Sequence, residues 1–366
     1  MKIIHTGDIH IGSAFVGLSQ EKAAVRKREL MQNFRAVCEF AYREQVAAVL
    51  LVGDLFDENV VPSFVQKEVF ALIENAAPVC FFYVSGNHDY GNDLSILKAQ
   101  GVLPNNLRLF ESENGWKSYD LGDEICITGA DTRVFSRAFD NVPHLPREKF
   151  NIMLLHGQTV SGERRNAEDI PLGCLRDKNV DYLALGHIHK PTLQAERLDA
   201  RGKYRYCGCL EGRGYDEVGD RGFFLLEVKN GALIDERFLS FSTRKVEEVR
   251  VDISACKTQL DIERTIEKTI ANVNKENCVK IVLCGRYASG LRKELSMLSM
   301  RFASRFFHLK MEDVSRLYVD ISVYENDKTE RGEFIKEVGR YEMNDDFRAE
   351  VIELGLAALN GEEIEI

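Results

Sequence analysis

Five short apolar runs in this chain end alike. KIIHTGDIH, AVLLVGDLFD, CFFYVSGNHD, IMLLHG and YLALGHIH each carry a strand-length apolar stretch into a glycine beside an acid, an amide or a histidine. Continuous apolar runs of this length, bounded by turn residues, read as strands buried on both faces. Open α/β sheets place their ligand sites at the C-terminal ends of such strands, and the glycines let the backbone turn sharply there. A chain built this way needs parallel strands whose ends converge.

The first third fits that demand. Lys2–Thr6, Ala47–Val52 and Val79–Val84 read as strands. Between them, Glu21–Glu44 carries Leu30, Phe34, Val37, Cys38 and Ala41 at helical spacing, and Pro62–Asn75 is a second helix with proline near its first turn. This βαβαβ start predicts a partly parallel sheet with helices packed on it. Beyond Leu107 the pattern turns to short strands: Lys117–Leu121, Ile125–Gly129, Ile152–Leu155, Tyr182–Leu185, Tyr204–Cys207, Phe223–Val228 and Ile234–Phe238. So many strands imply a second sheet stacked on the first. The charged stretch Ser242–Glu248 marks a boundary. After it come strand Val249–Ile253, helix Leu260–Asn272, strand Val279–Cys284, helix Ser289–Phe306 and strand Leu317–Val323, then helices near Gly332–Val338 and Asp345–Leu359. The expected division is 1–243, 244–326 and 327–366.

At 366 residues the chain is long enough for two or three such units. No run approaches the roughly 18 apolar residues of a membrane span, and the first residues read as a strand rather than a signal peptide. The nine cysteines are odd in number and scattered through apolar runs, which fits reduced thiols and a cytoplasmic location. Cys207 and Cys209 fall on one face of a strand with no second pair to complete a zinc site. The net charge of −10 argues against a nucleic-acid partner, but Tyr341–Ile366 alone carries −7. The body is thus nearly neutral and can present the basic clusters Lys22–Arg28, Arg133–Arg137, Arg164–Arg165, Arg201–Arg205 and Arg292–Arg305. The only GK pair lacks the glycine and hydroxyl residues of a P-loop, and GCLEGRGYDEVG reads as a turn.

The chemistry sits in the five motifs. Asp8, His10, Asp54, Asn87, His156, His187 and His189 form a mixed oxygen and nitrogen set without thiolate, suited to manganese, iron or zinc rather than calcium. Seven such groups are too many for one ion and fit two divalent ions that share a bridging aspartate, the arrangement that clamps a phosphoester and generates a hydroxide. His88 is left over and can protonate a leaving oxygen. His5, His144 and His308 lie outside the pattern.

The motifs in this order resemble the calcineurin-like metallophosphoesterase superfamily, and GDLFDENVVPS, HTGDIHIGSAF, DYLALGHIH, YCGCLEGRGYDEVGDRGF and GEFI are similar to DNA-repair exonucleases of the SbcD and YhaO type. The likeness spans about residues 1–240 strongly and 246–325 more weakly. It implies a four-layer αββα double-sheet core with a smaller α/β capping domain and C-terminal helices. One ion would be held by Asp8, His10, Asp54 and His189, and the other by Asp54, Asn87, His156 and His187. His88 would be catalytic and Asp89 would orient it. It further implies Mn2+ as the metal, DNA as substrate, a homodimer through Pro62–Asn75 and the short helix after Asp93, and an SbcC-like coiled-coil ATPase docking on the C-terminal helices. The first motif, GDIHIG, departs from the SDxHLG common in SbcD but keeps both ligands. A phosphomonoesterase or small-molecule phosphodiesterase on the same core is the alternative. Protein phosphatases of the superfamily end the third motif in glutamate, where this chain has Asp89.

Overall fold

The computed structural model describes residues 1–57, 61–92, 94–110, 115–288, 291–318, 321–359 and 361. They form two units, Met1–Lys245 and Val246–Ile366.

In the first unit, the parallel strands Lys2–Thr6, Ala48–Val52, Cys80–Val84 and Leu107–Leu109 lie side by side, with Ile4 opposite Val49 and Val49 opposite Phe81. Gly222–Lys229 pairs antiparallel to the first of them and Ala232–Ser240 closes that edge. A second six-stranded sheet runs in the order Glu196–Arg197, Lys203–Tyr206, Tyr182–Gly186, Phe150–His156, Ile125–Gly129, Lys117–Leu121. Strand alternation sorts the apolar side chains into layers. Ala48, Leu50, Val52 and Phe82 face Ile127, Ile152, Leu154 and Tyr182 between the sheets. Val49, Leu51 and Phe81 point outward against Phe34, Val37 and Ala41 of helix Gln20–Arg43 and Val69 and Ile73 of helix Ser63–Asn75. Met153, Leu155, Leu183 and Leu185 are covered in turn by Phe135, Leu172 and Leu175. The four-layer αββα core expected from the sequence is therefore present. At about 1.5–3 kcal/mol per fully buried aliphatic side chain, the three layers of contact dominate its stability.

The second unit has a three-stranded parallel sheet in the order Val246–Asp252, Cys278–Cys284, His308–Asp313. Helix Gln259–Thr269 starts in a capping box between Thr258 and Asp261. The expected helix Ser289–Phe306 is shorter: among its described residues the α-helix covers only Leu295–Phe302. Among the described residues of the expected strand Leu317–Val323, only Leu317 and Tyr318 are strand, within Arg316–Tyr318, which pairs with Arg286–Ala288. The last helices, Glu330–Gly339 and Asp345–Leu359, bury Ile335, Val338, Ile352 and Leu356 in the same cluster as Ile262 and Ile281. The helices of the 327–366 segment thus share the core of the second unit. Among the described residues no helix is long and apolar enough to cross a membrane.

Candidate metal centre

Each motif lies at the C-terminal end of a strand in the first unit, and the two sheets bring those ends together. Asp8, Asp54 and Asn87 come from the first sheet, and His156, His187 and His189 from the second. The turns that deliver them are strained. Asp8, His10 and Asp54 have φ of 48°, 51° and 47°, and His187 has 100°. Such left-handed backbone costs of order 1–3 kcal/mol per non-glycine residue and tends to cluster at functional sites. Backbone hydrogen bonds hold the strain: Asp8 N–H donates to Gly53 O at 3.1 Å and His10 N–H to Asp54 O at 2.9 Å. Two glycines make room. A Cβ on Gly86 would stand 2.0 Å from Asp54 Oδ1, and one on Gly53 would stand 2.1 Å from His156 Nδ1.

Asp8, His10, Asp54 and His189 turn one ligand atom each to a common point, all within 4.8 Å of one another. His10 Nε2 lies 3.2 Å from His189 Nε2 and 3.5 Å from Asp54 Oδ2. On the other side of Asp54, His156 Nε2 is 3.3 Å from the same Oδ2 and 3.1 Å from Asn87 Oδ1. The His187 ring is 5.3 Å from that of His156. Asp54 Oδ2 thus faces both groups. Its other oxygen accepts the His88 backbone N–H at 3.0 Å, while Asp8 accepts that of His187 at 2.9 Å.

Burial holds His10 near a pKa of about 4 despite the neighbouring Asp57, so its ring is neutral. Burial, with the nearby His156, also lowers His187 to about 4. Burial alone would raise Asp54, but His156, His10 and the His88 amide hold it below the ordinary carboxylate range. Burial would lower His156, yet the Asp54 and Asp8 carboxylates carry it to about 9. Asp8 is pushed to about 6 by burial, with the Asp54 charge adding to it. Two imidazole nitrogens meet nose to nose beside two buried carboxylates. Such a donor set fits a divalent cation, which satisfies all four at once.

His88 lies at the rim. Its Nδ1 is 3.4 Å from Asp57 Oδ1, and its ring stacks edge-on to His10 with centroids 4.8 Å apart. Asp89, expected to orient it, directs its carboxylate to backbone amides instead: Phe56 N–H and Gly86 N–H at 2.9 Å each, and Leu55 N–H at 3.4 Å. Asp89 therefore ties the second and third motifs together, and Asp57 is the carboxylate beside the His88 ring. His5 lies under the site, fully buried between Tyr182 Oη at 2.9 Å and Leu185 O at 3.2 Å. Cys207 and Cys209 are buried on either side of Gly208, whose φ is 72°.

The motif pattern gives no role to Ser13, Arg213 or Glu217, yet all three reach the site. Ser13 Oγ donates to Asp57 Oδ2 at 2.7 Å and accepts from Arg213 at 3.2 Å. Glu217 Oε1 is 2.6 Å from His189 Nδ1. Although burial opposes it, contacts with His189 and Arg213 hold the Glu217 carboxyl near a pKa of about 2. The available signal was position: the turn GCLEGRGYDEVG follows the strand that neighbours Tyr182–Gly186.

A family model described as calcineurin-like phosphoesterase matches residues 1–191. The chain is 29% identical over 304 residues to the uncharacterized metallophosphoesterase YhaO of Bacillus subtilis, covering 78% of this chain and 72% of that protein. It is 24% identical over 298 residues to the DNA double-strand break repair protein Mre11 of Aeropyrum pernix, covering 74% and 69%. Against the SbcD component of the SbcCD nuclease of Staphylococcus epidermidis, identity is 24% over 318 residues, covering 76% and 77%.

Proposed function

The chain belongs to the calcineurin-like phosphoesterase family, and from that premise we propose that it is a metal-dependent DNA nuclease subunit acting in DNA repair or end processing. The observation that carries the reading is the pair of donor groups on either side of Asp54 with His88 at their rim. In this reading Asp8, His10, Asp54 and His189 hold one ion, and Asn87, His156, His187 and Asp54 the other, most readily Mn2+. Such ions supply a hydroxide nucleophile and neutralise charge on the phosphate.

The chain's own groups do the rest. His88 gives a proton to the departing oxygen, and Asp57 keeps its ring turned to the site. The strained turns at Asp8, Asp54 and His187 fix the ligands before substrate arrives, so little reorganisation is left for the reaction. DNA as substrate is supported by the names of two relatives, a double-strand break repair protein and a nuclease component.

The partner readings belong here too. The chain works as a homodimer through Pro62–Asn75 and the short helix that follows Asp93, Leu94–Ala99, with an SbcC-like ATPase, in the cytoplasm. Phe64 faces outward on that helix, whereas Val69 and Leu72 belong to the core. Asp93 lies outside the described residues. Nine free cysteines agree with a reducing compartment.

The test is digestion of end-labelled duplex and single-stranded DNA with Mn2+, beside chromogenic phosphomonoesters and phosphodiesters. DNA cleavage is expected, and His88→Ala should lower it by about 10²–10⁴ while metal analysis still finds both ions. Turnover of the monoester without cleavage of DNA would place the chain in the alternative class.

A further inference from the structure

The turn Cys209–Glu217 lies next to the metal centre and is built unusually firmly for a glycine-rich segment. Within it Glu211 is buried and takes Arg26 Nη1–H at 2.9 Å and the Thr243 backbone N–H at 2.8 Å. Arg26 in turn donates to Gly212 O at 2.6 Å. At its other end, Glu217 collects donors on both oxygens. Oε2 takes the Arg213 backbone N–H at 2.5 Å and faces Cys209 Sγ at 3.7 Å, while Oε1 is 3.3 Å from Arg213 Nη2. A carboxyl surrounded this way accepts and does not donate.

That fixes the proton on His189. Its Nδ1 is 2.6 Å from Glu217 Oε1 and 3.1 Å from Arg213 Nη2. Arginine can only donate, so the two contacts make opposite demands on Nδ1. The shorter contact, to an oxygen that can only accept, requires N–H at Nδ1. Arg213 then spends its hydrogens on Glu217 and Ser13. With that proton on Nδ1, it is Nε2 of His189, 3.2 Å from Nε2 of His10, that can offer a lone pair to an ion.

We propose that Glu217 is a positioning residue for the metal centre, holding His189 in the Nδ1–H tautomer and turning its Nε2 lone pair to the ion shared with Asp8, His10 and Asp54. The inference rests on the metal reading above and adds the group that sets its affinity. Carboxylates placed behind metal-bound histidines raise ligand basicity, and their loss typically costs about 10–100-fold in metal affinity.

The test uses the full chain. Metal-free protein carrying ¹⁵N-histidine is read by long-range ¹H–¹⁵N correlation, with His189→Asn assigning the signal. Mn2+ affinity is read separately by calorimetry. Wild type should show His189 protonated at Nδ1. Glu217→Ala should mix the tautomers and weaken Mn2+ binding about 10–100-fold, and Glu217→Asp should restore part of the loss. Thermal melting checks that the variants fold. If the alanine variant does not, Glu217→Gln, which keeps the shape but loses the charge, should still weaken binding. Unchanged affinity in folded variants, or wild-type His189 protonated at Nε2, would overturn the proposal. A wild type that binds no Mn2+ sinks the metal reading itself, while the tautomer still decides the role of Glu217.

Discussion

His5 stands outside the motif pattern in the sequence, and in the fold it is a fully buried core histidine. Leu185 O needs a donor, so Nε2 carries the proton and Nδ1 accepts from Tyr182. Burial lowers its pKa to about 3. The unfolded chain takes up a proton near the ordinary value of about 6.5, which the folded chain refuses until about 3. The unfolded state therefore binds more protons across that window, and stability present above it is lost as pH falls. Urea unfolding at several pH values should show His5→Gln with a shallower acid slope than wild type. An equal slope in both would mean that His5 is not buried neutral. The difference between His5 and the five motif histidines was legible, because those five stand at strand ends beside glycine. The direction of a side chain was not. Asp57 and Asp89 sit in adjacent motifs, and only the folded turns show that Asp89 serves backbone amides while Asp57 serves the His88 ring.

At the scale of elements, a continuous apolar run followed by glycine locates a buried strand almost to the residue, as Lys2–Thr6 and Ala48–Val52 show. Half-exposed edges were harder. His308–Asp313 alternates Leu309 and Met311 with charged residues, and was passed over because its run is short and polar. The tripeptide Leu107–Leu109 is too brief for a period to declare itself. Site glycines are the elements' other contribution. Gly86→Ala touches no ligand chemically, yet its methyl would stand 2.0 Å from Asp54 Oδ1 and 2.6 Å from Asp54 N. Backbone cannot give way there cheaply, so the variant should stay folded but lose tight Mn2+ binding at both positions, read by metal analysis after dialysis. Full retention of two ions would show that the turn relaxes.

For the whole molecule, the C-terminal helices change the meaning of a truncation. Ile335, Val338, Ile352 and Leu356 are core residues, and at about 1.5–3 kcal/mol each their removal approaches the entire stability of a typical domain, roughly 5–15 kcal/mol. Deleting Thr329–Ile366 should therefore unfold the second unit, seen as lost cooperativity in melting. In the docking reading proposed above, the last helix offers an outward side on which Phe347 and Leu354 are exposed seven residues apart. Phe347→Ser with Leu354→Ser should melt like wild type and fail to co-purify an SbcC-like ATPase. Undiminished co-purification would place that contact elsewhere. The sequence showed that this helix has more apolar residues than one stripe needs. It could not say which of them the chain keeps for itself.

The sealed thiols beside the metal centre give the site an internal clock. Cys207 and Cys209 are fully covered, and burial raises both thiols well above their ordinary range, so an alkylating reagent finds no thiolate while the turn is closed. Labelling of Cys209, at the start of the turn that holds Glu217, then requires a local opening that uncovers it. In the metal reading proposed above, an ion held by His189 and Asp8 would slow that labelling. Peptide mass spectra, which separate Cys209 from the exposed Cys174, would then read occupancy of the centre without a substrate and without a turnover.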